Sequence, residues 1–356
     1  MGQTKRIEWV DIVKYVCIMM VMLSHLETRT DIWYTFYSPF FLTAFFFVSG
    51  YVYKQKGTFK DFIYKKFRQL FVPWLVFSVF IIVLSQIITF NEHAGLWEEL
   101  KQNFLQIRGK GDGMWFVAAL FVAFIPFYFF IQQYEIRKMR GGYSRNWVIA
   151  IIVAWLLSFV SILYTRLVPT SVFPWDSTAL PWHLEYMFQA MFYMVLGYMF
   201  RYNIEAWFDK YTTVKLRIAA LTIYLLLVFV PYFCKIEMPM VVDIFYGYLT
   251  SIIGIATLVS FAKTIKANKY VNFVGQNTLI YFALHGKALS LIQAILKKFA
   301  AGFYSTVLNS VAISSVFCLG LTIIISVILI IPTYIINRWF PFIVGRQNVG
   351  PEKKKT

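Results

Sequence analysis

The chain has 356 residues, of which 59% are hydrophobic, 20% aromatic and only 14% charged, with a mean hydropathy of +0.63. That balance excludes a soluble globular protein, whose surface needs far more polar side chains, and predicts an all-α polytopic integral membrane protein. A formal net charge of +17 would suit a nucleic-acid binder, but the basic residues sit where a membrane protein puts them, so no nucleic-acid partner is expected.

Ten membrane spans are expected, at about 7–26, 34–53, 71–90, 114–132, 147–167, 183–200, 214–233, 243–262, 275–294 and 313–336. If the N-terminus is cytoplasmic, 24 of the 34 Lys and Arg residues fall in inner segments and 9 in outer ones, with Lys14 inside a span. The positive-inside rule then predicts that both termini are cytoplasmic, in a multi-pass protein of the cell membrane with a single domain over 1–356. The tail from about 338 to 356, ending in PEKKKT, reads as a basic, lipid-facing cytoplasmic end.

The first span, IEWVDIVKYVCIMMVMLSHL at 7–26, is long enough to cross a bilayer and has no small-residue cleavage site, so it reads as retained rather than as a signal peptide. Asp11, Lys14 and His25 interrupt it. On a helical wheel, Lys14 and His25 are separated by about 20° and Asp11 lies about 60° from Lys14, so the three form one stripe. Charged groups in a bilayer are costly unless they face protein or a wet cavity, so this stripe is expected to line an interior path. Asp11 and Lys14 can equally be read as pairing with each other.

Further along, KQKGTFKDFIYKKFRQLFVPW at 54–74 interleaves basic and aromatic residues and is expected to form an amphipathic helix on the cytoplasmic leaflet. Arg68, five residues before Pro73, stands where the chain re-enters the membrane and could meet phosphates. The outer loop at 91–113 carries His93, Glu98, Glu99 and GKGDG, and Trp115 opens the fourth span. The outer loop at 168–182, VPTSVFPWDSTALPW, is rich in Pro and Trp and is expected to be an ordered, non-helical cap.

Four histidines are candidates for proton transfer, since imidazole takes a proton near neutral pH: His25, His93, His183 beside Glu185, and His285 in the ninth span. That ninth span is the least regular, because Asn277, His285, Lys287 and Gln293 interrupt it. No nucleophile elbow, phosphate loop or dinucleotide fingerprint is present, and the cysteines Cys17, Cys234 and Cys318 suggest no metal site.

Several islands, taken in order, resemble the membrane acyltransferase family 3, bacterial integral-membrane O-acyltransferases that act on cell-surface sugars. They begin with Trp9, Asp11, Ile12, Lys14 and His25, where the family usually has Arg at the position of Lys14. They continue through FYSPFFLTAFFFVSGYVY at 36–53, KKFRQLFVPW at 65–74, GMWFVAALF at 113–121, LPWHLEYMFQAMFYMVLGYMFR at 180–201 and GQNTLIYFALHG at 275–286. The resemblance implies transfer of an acyl group, usually acetyl, from cytoplasmic acetyl-CoA to a hydroxyl of a surface polysaccharide or its lipid-linked precursor. His25 matches the family's essential histidine and would act as general base or acyl carrier. Asp11 and His285 complete the expected catalytic set. Lys14, Arg68 and Trp115 are expected on the acyl-CoA, and His183, Glu185 and Asn277 on the acceptor. Membrane lipids and glycan-synthesis proteins are the expected partners, and no metal is. The competing reading of the same polar interior is an exporter or flippase for a polysaccharide or lipid-linked sugar, although no internal repeat supports it.

Overall fold

The computed structural model describes residues 7–26, 32–88, 95–110, 113–139, 146–175 and 177–346. They form a helical bundle with no strand among the described residues, only a single bridge between Ile107 and Lys110. His93 lies outside the described residues, as does PEKKKT. Within the described residues, eight helical stretches are long and apolar enough to cross a membrane: Ile32–Tyr51, Phe59–Ile87, Trp115–Met139, Asn146–Leu167, Val214–Cys234, Met240–Ala262, Thr278–Phe299 and Val311–Trp339. The chain is therefore an all-α, multi-pass membrane protein.

The first and sixth expected spans differ from these eight. The first folds as a helix of 17 residues, Glu8–Ser24, and the sixth as Met187–Met199, which runs on through a π-turn, Phe200–Ile204, into Glu205–Tyr211. Both are central. Glu8–Ser24 packs against Phe41–Tyr51, Met240–Ala262, Lys269–Gln276, Thr278–Phe299 and Val311–Ile328, while Met187–Met199 packs against Phe41–Tyr51, Trp115–Met139 and Asn146–Leu167. A helix enclosed by protein can hold polar groups that lipid would penalise, as Glu8–Ser24 does with Asp11 and Lys14.

Three other spans have internal breaks. The amphipathic stretch at 54–74 starts at Phe59, where Thr58 and Asp61 form a reciprocal cap. It does not stop as a separate surface helix. It continues through a π-turn, Phe67–Phe71, into Val72–Ile88. Pro73 has no N–H to offer the Gln69 carbonyl four residues back, and the π-turn lies where that bond is missing. The ninth span is split at Asn277 into Lys269–Gln276 and Thr278–Phe299, and the tenth at Leu329.

The tightest helix contact joins Phe41–Tyr51 to Met187–Met199. A Cβ on Gly50 would run into the Met194 carbonyl, and one on Gly197 into the Phe47 carbonyl, so the two backbones touch where both residues are glycine.

Candidate active site

His25 follows the last turn of Glu8–Ser24. Its φ of −97° and ψ of 0° take the chain off the helix, and its N–H still bonds the Met22 carbonyl at 3.3 Å. The imidazole is exposed, and it opens into a cavity of about 950 Å³. His285 lies next to it, buried at 6% exposure, with ring centroids 4.9 Å apart and planes inclined at 50°. His285 comes from Thr278–Phe299, which packs along the first helix. Its Nδ1 is 2.7 Å from the Phe282 carbonyl and 3.2 Å from that of Tyr281. Carbonyls only accept, so Nδ1 carries the proton and Nε2 is left as an acceptor. That Nε2 is buried and has no hydrogen-bond partner among the described residues. The arrangement is one open imidazole backed by one whose tautomer is fixed.

The cavity wall alternates hydroxyls and aromatic rings. Ser24, Thr43, Thr165, Thr178, Gln189 and Ser251 supply polar groups, and Tyr34, Trp115, Tyr186, Tyr193 and Tyr248 supply rings. Thr43 and Ser251 bond each other at 2.7 Å across two helices. Two arginines reach the same space. The Arg166 guanidinium donates to Asp243 at 3.0 Å, and Arg108 lies 5.2 Å from the Tyr186 ring.

His183 and Glu185 stand beside this cavity but do not line it. They belong to a 3₁₀ turn, Pro181–Tyr186, in which Trp182 and His183 both have positive φ, +60° and +55°. Such values are costly for residues with a Cβ and persist only where the surroundings impose them. Here Trp182 packs on Trp74 and stacks on Phe71, while Glu185 receives the Leu180 N–H at 2.8 Å and its carbonyl accepts from Ser161. His183 is fully buried, 3.5 Å from Glu185 through Nδ1 and Oε1, and its ring is 5.5 Å from that of Trp115. Trp115 itself lines the His25 cavity, so the structure groups it with the acceptor candidates rather than with Lys14 and Arg68.

The remaining candidates cluster at the opposite end of the bundle. Asp11 is buried and forms an ion pair with Lys14 at 3.9 Å, one turn apart. Fourteen residues of helix put Asp11 about 21 Å along the axis from His25, so it does not touch that imidazole. Gly275 lies against the Asp11 carbonyl, where a Cβ would collide. Asn277, two residues on, has both polar ends engaged: Nδ2 donates to the Phe273 carbonyl at 2.7 Å, and Oδ1 accepts from Asn337 at 2.8 Å and Arg346 at 3.0 Å. Gly345, at a φ of +67°, lets the chain press against the Arg68 carbonyl. A contiguous brace therefore joins Asp11, Gly275, Asn277, Arg346 and the backbone of Arg68. Asn277 is a strut in it and does not line the His25 cavity.

Sequence reasoning overlooked Arg108, Arg166 and Asp243 in the cavity, and it read Arg346 only as part of a basic cytoplasmic tail. Arg166 and Asp243 each stand at the end of an apolar run, which is the one signal that could have paired them.

No curated protein and no solved structure matches the chain. A family model described as an acyltransferase domain matches residues 7–331, which include every site residue expected from the sequence. The islands from Trp9 to His285 fall inside that match in the order the resemblance requires, and the chain belongs to acyltransferase family 3.

Proposed function

We propose that this membrane acyltransferase is an O-acetyltransferase of the cell membrane. It would take acetyl from cytoplasmic acetyl-CoA and deliver it to a hydroxyl of a surface polysaccharide or its lipid-linked precursor. The observation that carries this reading is His25, an open imidazole at the floor of a roomy cavity lined by hydroxyls and rings, with His285 behind it. Sugars are bound by such walls, because rings cover their apolar faces while hydroxyls and amides meet their own hydroxyls.

In this reading both termini are cytoplasmic, so the Asp11–Lys14 end faces the donor and the His25 cavity faces outward. Acetyl-CoA is polyanionic, and the donor end offers Lys14, about a quarter exposed beside Asp11, and Arg68, half-buried in the π-turn. These two residues suit phosphates. The unprotonated nitrogen of His25 takes the proton of the acceptor hydroxyl as its oxygen attacks the thioester carbonyl. The C–O bond forms, the C–S bond breaks, and the departing thiolate takes the proton back from His25. His285, its own tautomer set by Nδ1–H on the Phe282 carbonyl, packs its ring against that of His25 and limits how the His25 imidazole can turn.

The test is transfer of labelled acetyl from acetyl-CoA by the purified full-length protein, together with ester-linked acetate on the surface glycan of a deletion strain. Wild type restores both and His25→Ala restores neither. If deletion changes the amount of glycan and leaves its acetylation alone, export replaces transfer as the function.

A further inference from the structure

The two arginines of the His25 cavity differ in a way that bears on the acceptor. Arg166 is neutralised by Asp243 at 3.0 Å. Arg108 makes no ion pair among the described residues. It sits on the turn closed by Ile107 and Lys110, with Lys110 N–H on the Ile107 carbonyl at 2.9 Å and Gly109 at a φ of +79°. The turn is anchored by two buried neighbours, Ile107 at 4% exposure and Gln106 at 0%. The Gln106 side chain donates to the Asn103 carbonyl at 2.6 Å. The guanidinium itself lies against the Tyr186 ring. A guanidinium held on an aromatic ring keeps its in-plane N–H groups for an oxyanion such as a carboxylate or phosphate. Asp243 is the cavity's only acidic side chain among the described residues, and it is already engaged.

We infer that the acceptor is anionic, and that Arg108 is the residue that holds its carboxylate or phosphate while a hydroxyl is presented to His25. The inference rests on the acyl-transfer reading and narrows its substrate class. The charge has two possible sources: an acidic sugar in the glycan, or the phosphate of a lipid carrier. Both offer oxygens that a guanidinium can grip with paired hydrogen bonds, which neutral sugars lack.

The experiment measures acetyl transfer and CoA release by the full-length protein in lipid nanodiscs, with three acceptors: methyl glucoside, methyl glucuronide and a prenyl-diphosphate-linked glucose. One of the charged acceptors is expected to have a KM about ten-fold or more below that of the neutral one, the size of a charge-assisted hydrogen bond. Preference for the glucuronide identifies a sugar acid, and preference for the diphosphate identifies the carrier. In Arg108→Gln that preference disappears through KM while kcat is kept, and Arg108→Lys retains part of it. Equal use of the neutral and charged acceptors by wild type, or an undiminished preference in Arg108→Gln, overturns the inference. Acetyl-CoA turnover without transfer to any of the three overturns it too but leaves acyl transfer standing, whereas no turnover of acetyl-CoA overturns both.

Discussion

Two histidine arrangements flank the same cavity, and they are built in opposite ways. His25 caps one regular helix and His285 lies within another packed beside it, and one of the two rings opens into the cavity. His183 and Glu185 come from a 3₁₀ turn with left-handed residues, and both are sealed from the cavity. Either pair would pass as a catalytic dyad on residue type alone. Accessibility separates them: a base must reach the proton it removes, and only His25 has space in front of it. The strained turn instead shapes the wall, since it sets Tyr186 into the cavity while Trp182 packs against Phe71 and Trp74.

Substitutions test that division. The largest effect is expected from His25→Ala, which should lower acetyl transfer by roughly 100-fold or more, the share of a general base, without lowering the melting temperature. Retention of more than about a tenth of the activity would break the comparison at its strongest point. Next comes His285→Ala, which should reduce kcat by about ten-fold with KM unchanged, because it acts through the orientation of His25. A KM effect instead would make His285 a direct contact of the acceptor. Glu185→Ala should cost about 1 kcal/mol of stability by leaving the Leu180 N–H without its acceptor, measured by thermal unfolding in detergent, while the folded fraction keeps its activity. The smallest change is expected from His183→Asn, since Asn tolerates positive φ better than most side chains. Its acetyl transfer should stay near that of wild type, and a deep loss would move the buried pair into the chemistry.

Much of the fold was legible because membrane helices announce themselves by length and apolarity. The reading was least accurate where a helix is surrounded by protein: Glu8–Ser24 is shorter than its apolar run suggests, and Asn277 breaks a run that hydropathy alone would carry through. His25 was legible from its stripe, and the Asp11–Lys14 pair from local spacing, since residues three apart on a helix are neighbours. The sequence did not show that Gly275 lies against the Asp11 carbonyl. Nor did it show Arg166 with Asp243, or Arg346 with Asn277, because residues about 70 to 80 positions apart meet only through tertiary packing.

The glycine contact between Phe41–Tyr51 and Met187–Met199 has a consequence for substrate range. Thr43 and Phe46 on one helix, and Gln189 and Tyr193 on the other, face the cavity from a pair whose backbones already touch. Such a pair behaves as a single plank, with no slack side chains between its halves to take up a displacement. A bulkier acceptor therefore gains no room by parting these helices. Extra room in this cavity has to come from parts of its wall outside that pair, such as Arg108 and Thr178.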